Sequence, residues 1–180
     1  MILGITGTNG AGKGTVVGIL KKKGFSHLSV REFLSEEIKK RNLPLNRDSM
    51  FSVANELRAK HSPSYIVERL YEKAEGNCII ESVRTPGEVF ALKKKGSFLL
   101  ISVDADPKIR YERIIKRGSV TDNLSFEEFV EDEQREMSSD DPAKQNISKC
   151  LELADFKLIN NSSKKLLEKQ VEKIIEQILK

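Results

Sequence analysis

The chain has 180 residues, of which 38% are hydrophobic and 32% charged, and a formal net charge of +4 at pH 7. That length suits one domain around a single core, and that balance is ordinary for a globular protein. No apolar run reaches bilayer length, the N-terminus lacks the basic, apolar and small-residue order of a secretory leader, and the two cysteines, Cys78 and Cys150, lack metal-ligand spacing. A membrane span, secretion and a disulfide framework are therefore not expected, and a cytoplasmic protein with reduced thiols is.

In chain order, Ile2 to Thr6 reads as a buried strand and Lys13 to Lys23 as a helix stopped by Gly24. His27 to Val30 is a short strand, followed by helices over Arg31 to Arg41, Asp48 to Lys60 and Ser64 to Glu75, the last announced by Ser62-Pro63. Cys78 to Ser82 is a strand, Gly87 to Lys95 a helix, and Ser97 to Val103 the longest apolar strand. Pro107 starts a helix to Arg117, Ser125 caps another to about Met137, and Asp155 to Ile159 is the last strand. The C-terminal helix places Leu167, Val171, Ile174 and Ile178 on one face, which is a sheet-packing stripe.

The positive charge does not imply nucleic acid. Lys21 to Lys23 and Lys93 to Lys95 each close a predicted helix before a glycine, where cations complement the helix dipole. Tryptophan is absent and aromatic residues are only 6%, so no base-stacking platform interleaves the lysines. Strands separated by helices predict an α/β fold with a parallel sheet covered on both faces and right-handed crossovers. Ligands in such folds bind beyond the carboxyl ends of the strands, so the loops after Thr6, Val30, Ser82 and Val103 should meet at one site. No repeat, low-complexity tract or long linker divides the chain, and one domain spanning residues 1–180 is expected.

The first of those loops carries the chemistry. Gly7, Thr8, Asn9, Gly10, Ala11, Gly12 and Lys13 follow a strand and open a helix, the context of a phosphate-binding P-loop. Glycines let successive backbone N–H groups turn toward phosphate oxygens, the helix N-terminus adds a favourable dipole, and Lys13 reaches the outer phosphates. The next residue is Gly14 where the general motif has Ser or Thr, and Thr15 follows. This GKGT ending resembles the adenylate kinase and nucleoside monophosphate kinase family. The resemblance implies a three-layer P-loop NTPase fold with a five-stranded parallel sheet in the order 2-3-1-4-5, an acceptor-site insertion over about 31–75 and a short lid over about 117–125. It also implies ATP as donor, a small-molecule nucleotide acceptor, and Mg2+ near the hydroxyl of Thr15.

Further segments are similar to that family in motif-sized islands. Gly24 to Ile38 resembles the stretch that delivers a hydroxyl, here Ser29, and then a helix shaping the acceptor site. The helix arginine usual in the family falls on Ser35, and Arg31 is the candidate substitute. ESVRTPGE (Glu81 to Glu88) resembles the segment with a strand-terminal acid and a phosphate-binding arginine. Glu81 is accordingly expected in the magnesium and water shell, and Arg84 on the acceptor phosphate or the transferring phosphoryl group. Glu88 stands where adenylate-specific members have a base-reading glutamine; an ionised carboxylate only accepts hydrogen bonds, so as a base reader it favours an edge with an amine, and the alternative is a solvated helix residue. Asn55 and Arg58 are polar enough to line the same pocket or to belong to a plain amphipathic helix.

Tyr111 to Asn123 resembles the lid hinge, where a helix runs into an Arg-Gly pair. Arg110, Arg113 and Arg117 share one helical face suited to phosphate and adenine contacts or, alternatively, to a salt-bridged surface stripe, with Arg117 also a donor-nucleotide contact. The lid's usual arginine is missing from Ser119-Val120-Thr121-Asp122, and Arg135 is the candidate replacement. Ala154 to Val171 resembles the end of dephospho-CoA kinases, which makes dephospho-CoA the alternative acceptor, although the Asp-x-x-x-His motif of that family is absent at Ser29 to Phe33. A nucleotide-binding switch with slow ATPase activity is the rival of another class. The expected catalytic set is Lys13, Arg84, Arg113 and Arg117, acting without nucleic acid or membrane, in a monomer or homodimer.

Overall fold

The computed structural model describes residues 1–118, 124–141 and 144–179, with the backbone alone at Arg47. Five strands, β1 (Ile2–Gly7), β2 (Ser26–Ser29), β3 (Cys78–Glu81), β4 (Phe98–Asp104) and β5 (Phe156–Ile159), pair in the order β2-β3-β1-β4-β5, all parallel. Central β1 is buried along its whole length, as its apolar run requires when both faces are covered. Alternation along the strands divides the core in two. Ile2, Cys78, Ile80, Phe98 and Leu100 point to one face, and Leu3, Ile5, Ile79, Ile101 and Val103 to the other.

The second face is covered by α1 (Lys13–Lys22) and α9 (Lys164–Ile178). α1 contributes Val16, Val17, Ile19 and Leu20. α9 contributes Leu167, Val171, Ile174 and Ile175, with Ile178 partly buried at the edge, as the predicted stripe requires. The first face carries α2 (Val30–Lys40), α3 (Arg47–Lys60), α4 (Tyr65–Tyr71), α5 (Pro86–Lys94) and α8 (Ile147–Glu152). α6 (Pro107–Arg117) and α7 (Phe126–Met137) follow β4, and Tyr111 on α6 meets Phe126 and Phe129 of α7 ring to ring. Local signals fix these starts. Thr85 with Glu88 and Ser125 with Glu128 form capping boxes on α5 and α7, and Pro86 and Pro107 occupy first-turn positions.

Two departures have physical causes. α4 ends at Tyr71 rather than near Glu75, because the buried stripe Ile66, Val67 and Leu70 ends there. α8 was not expected at all: six residues are too short to show a helical period, and only the Asn146 cap marks its start. The lid anticipated over about 117–125 falls mainly on residues 119–123, outside the described residues. Among the described residues, no helix is long and apolar enough to cross a membrane.

Candidate nucleotide and acceptor site

The carboxyl ends of β1, β2 and β3 open into one cleft of about 1080 Å3. One end is the loop between β1 and α1. Gly12 caps α1 in the left-handed region at φ 103°, with no side-chain cap bond and no acidic residue in the first turn, so the helix N-terminus faces the cleft with its dipole uncompensated. Gly10, at φ 76°, passes so close to the Arg110 carbonyl that a Cβ would lie 2.5 Å from its oxygen. Gly14 differs: a Cβ there meets nothing within 4 Å, so the departure from the general motif widens the cleft rather than answering a steric demand. Thr15 lines the cleft one residue further on.

Lys13 folds back over the loop, its Nζ donating to the carbonyls of Gly7 (2.9 Å) and Thr8 (2.7 Å). Withdrawal from water, helped by the Arg84 charge, pulls its pKa from 10.5 down to about 7, against the opposing carboxylates of Glu81 and Glu136. Two partners missed in the sequence brace the loop. Thr8 donates to Asp104 Oδ1 at the end of β4 (2.6 Å), and the buried amide of Asn160, after β5, donates to the Ala11 carbonyl (2.8 Å).

Glu81 lies at the end of β3 with its Oε2 3.0 Å from His27 Nε2. That hydrogen bond holds its carboxyl below the ordinary value, against the effect of partial burial. The pairing follows from register: His27 stands opposite Ile79, so Glu81 is its diagonal neighbour on the same face, a relation that strand pairing alone reveals. Ser82 then adopts φ 70°, a left-handed conformation unusual for a residue with a side chain, and both its N–H and that of Val83 reach the Ile5 carbonyl. The turn brings Arg84 into the cleft, where Nη1 donates to Glu136 Oε2 on α7 (2.8 Å) and to Gln145 Oε1 (2.7 Å). Glu136 and Gln145 left no signal in the sequence, because they reach Arg84 across more than 50 residues.

The expected acceptor residues are brought to the other end, but not in the expected roles. Ser29 is buried and its Oγ accepts from Glu32 N as the cap of α2, while Arg31 lines the cleft from the first turn. The reading of Glu88 as a base-recognising residue is corrected. It is wholly buried, its Oε1 takes Nε and Nη2 of Arg58 (3.1 and 2.8 Å), and its Oε2 takes the backbone N–H groups of Arg84 and Thr85 (2.7 and 3.1 Å). Glu88 therefore fastens the Arg84 loop to α3. Arg58 does line the cleft, as the buried half of that ion pair.

The arginine stripe of α6 is also divided. Arg113 and Arg117 line the cleft, and Arg113 Nη1 is buried without a partner. Arg110 is not a phosphate ligand here. It is buried, forms a forked ion pair with Glu133 of α7, and donates from Nε to the Ala105 carbonyl (2.7 Å) and from Nη1 to the Asn9 carbonyl (3.3 Å). Arg135 lines the cleft and pairs with Asp132 (3.4 Å).

The donor set fits a magnesium ion only in part-hydrated form. Among the described residues no group of three or more acidic, His or Cys side chains could hold a metal, but Thr15 and the ionised Glu81 both line the cleft. One or two oxygens plus water and phosphate is the way Mg2+ is commonly held.

A family model described as an AAA domain matches residues 3–139. A UPF0200 protein of Methanocaldococcus jannaschii is 31% identical over 185 residues, covering 99% of this chain and 91% of that one. Among solved structures, the shikimate kinase of Aquifex aeolicus superposes with a TM-score of 0.62 at 16% identity (98% and 97% of the two chains). The dephospho-CoA kinase of Campylobacter jejuni superposes with 0.56 at 17% (98% and 96%). These two likenesses show the fold, a P-loop kinase fold, and no substrate.

Proposed function

The chain belongs to the AAA domain family and to the UPF0200 proteins, and from that footing we propose that it is a magnesium-dependent, ATP-using kinase whose acceptor is a ribo- or deoxynucleoside monophosphate. The observation that carries this reading is the two-ended cleft. One end is a phosphate loop with an open helix N-terminus and Lys13, the other an enclosure built by α2 and α3 with Arg31 and Arg58, and Arg84 stands between them. A switch that only hydrolyses ATP has no need of the second end.

Phosphoryl transfer passes through a loose transition state, so the protein works by positioning and by neutralising charge. In this reading the loop amides and Lys13 hold the donor's outer phosphates, and Arg84, Arg113 and Arg117 offset charge at the transferring group. Mg2+, when bound, supplies further charge neutralisation, with Thr15 and Glu81 as the residues that would hold it through its water shell. A monophosphate acceptor already carries its nucleophilic oxygen as an anion and needs no general base.

A second reading draws on Glu81 and His27. A hydroxyl acceptor such as dephospho-CoA must lose a proton, and the paired Glu81 carboxylate at the cleft wall is the group that could receive it. One assay separates the readings: ADP release from ATP and magnesium, with a panel of ribo- and deoxynucleoside monophosphates plus dephospho-CoA. Turnover with a monophosphate is expected; turnover with dephospho-CoA alone selects the second reading. Slow ADP release that no acceptor stimulates overturns both in favour of a switch. Lys13→Ala is expected to keep the fold and lose transfer.

A further inference from the structure

Among the described residues, only two that carry side chains take a left-handed φ, Asn42 at 55° and Ser82 at 70°. Asn42 follows the end of α2, and asparagine tolerates that conformation because its short amide bonds locally. Serine has less of that ease, so Ser82 is the strained one of the two. The Ile5 carbonyl enforces the strain: it takes the N–H groups of Ser82 (2.9 Å) and Val83 (3.1 Å) and so ends β3 in a tight turn. Glycine would fit that turn without strain, and a side chain held there against its preference points to a use for it.

Ser82 is half-buried and lines the cleft, with Glu81 beside it and Arg84 two residues on. Its hydroxyl has no hydrogen-bond partner among the described residues, and it is not shut away from water as the unpartnered Thr6 hydroxyl is. Both tethers of the turn run to Ile5, on the strand that leads into the phosphate loop at Gly7, and Glu81 and Arg84 are both near enough to Lys13 for their charges to act on it. Ser82 therefore belongs to the phosphate-loop end of the cleft. A hydroxyl suits that place, because it is a neutral donor. It can meet a phosphate oxygen without adding positive charge beside Lys13, whose charged form Arg84 already disfavours.

We propose that the Ser82 hydroxyl donates a hydrogen bond to the transferring phosphoryl group of the donor nucleotide, and that the strained turn is kept for this contact. This rests on the ATP-using kinase reading above but not on the identity of the acceptor. The group it meets is the one that ADP lacks, so the contact is made with ATP alone.

Two variants test it. Ser82→Ala removes the hydroxyl and keeps the backbone restricted, whereas Ser82→Gly removes the hydroxyl and the restriction together. Dissociation constants for a non-hydrolysable ATP analogue and for ADP, each with magnesium, are measured by isothermal titration for both variants and the unmodified chain. In both variants the analogue is expected to bind about tenfold or more weaker, and ADP within about twofold of the unmodified chain, because a hydrogen bond to a charged oxygen is lost for one nucleotide only. The midpoint of urea unfolding is expected to rise by about 0.3 M in Ser82→Gly as the strain is released, so that binding falls while stability grows. Equal losses for the analogue and ADP, or no loss for either, overturn the contact. A loss confined to Ser82→Gly assigns the effect to loop stiffness and overturns the role of the hydroxyl, and a midpoint that falls in Ser82→Gly overturns the strain on which the proposal stands. An unmodified chain that binds neither nucleotide sinks the kinase reading itself, and this contact with it. Losses as expected in a chain that turns over no monophosphate sink that acceptor alone and leave Ser82 in its role.

Discussion

Lys13 holds a triphosphate best when charged, yet burial and the Arg84 charge favour its neutral form. Its pKa of about 7 in the free protein, against an ordinary 10.5, means that it is ~90% uncharged at pH 8 and ~90% charged at pH 6. Phosphate oxygens stabilise the charged form and return the pKa toward its ordinary value. Binding at pH 8 is therefore expected to take up ~0.9 proton at this residue, and binding at pH 6 only ~0.1. The sign is fixed by the direction of the shift: affinity is greatest below about pH 7 and weakens by up to about tenfold per unit as pH rises above it. The same displacement makes the protein gain stability between pH 7 and 10.5, where the unfolded chain binds the extra proton. Isothermal titration with a non-hydrolysable ATP analogue, in buffers of differing ionisation enthalpy, reads the proton count directly, after subtraction of the nucleotide's own ionisation. An uptake that is the same at pH 6 and pH 8, or that persists unchanged in Lys13→Met, would refute the assignment.

Glu88→Ala strands a buried guanidinium and removes the capping box of α5, so unfolding in urea is expected to show a loss of about 3–5 kcal/mol; a loss under about 1 kcal/mol would contradict the structural role given to the pair. Gly12→Ala is expected to abolish nucleotide binding, because its Cβ falls 2.4 Å from Asn160 Nδ2 at a left-handed φ, whereas Gly14→Ser should stay within about 0.5 kcal/mol of the parent and still bind. Equal behaviour of the two variants in a binding titration would show that the loop is not held as described. Glu136→Gln removes a carboxylate that occupies Arg84, and nucleotide should bind several-fold tighter at pH 6.5. That gain should shrink above pH 7, since Glu136 also raises the Lys13 pKa; weaker binding at pH 6.5 would count against it. Burial pushes the Cys150 thiol up to about 12, so alkylation of the native protein at pH 8 should be slow, and rapid labelling detected by mass spectrometry would contradict that burial.

The strands and the phosphate loop were legible because each is written in local pattern, apolar runs, glycine spacing and caps such as Ser125, whereas the strand order came only from the family resemblance that the loop's ending carries. What was not legible depends on which remote residues meet. Arg110 and Arg113 look alike in the sequence, three residues apart on one helix, but only Arg110 finds a carboxylate, Glu133, and so becomes structure. Glu88 was legible as a helix-start residue and misread as a base reader, since nothing local says that Arg58 lies beneath it. His27 could have been found by combining the predicted parallel sheet with the register of β2 on β3, which makes Glu81 its diagonal neighbour. Gln145 and Glu136 could not, because they come from a helix and a loop whose approach to Arg84 is set by packing alone.

Three of the arginine–glutamate pairs among the described residues, Arg58–Glu88, Arg110–Glu133 and Arg84–Glu136, join separate segments at or beside the cleft, and their burial is graded. Arg58 and Glu88 expose 1% and 0% of their side chains, Arg110 and Glu133 expose 4% and 17%, and Arg84 and Glu136 expose 28% and 17%. Breaking a pair away from water leaves an uncompensated charge that no solvent can answer, whereas a pair near water exchanges partners at little cost. The first two pairs therefore act as fixed ties, α3 to α5 and α6 to α7, and they hold the Arg84 loop and the Asn9 carbonyl through Glu88 and Arg110. Only the third is placed where an arriving phosphate can compete with the carboxylate, and a phosphate brings more charge to Arg84 than Glu136 does. The same two residue types thus build the walls at one depth and the exchangeable contact at another, and burial is the variable that separates the two roles.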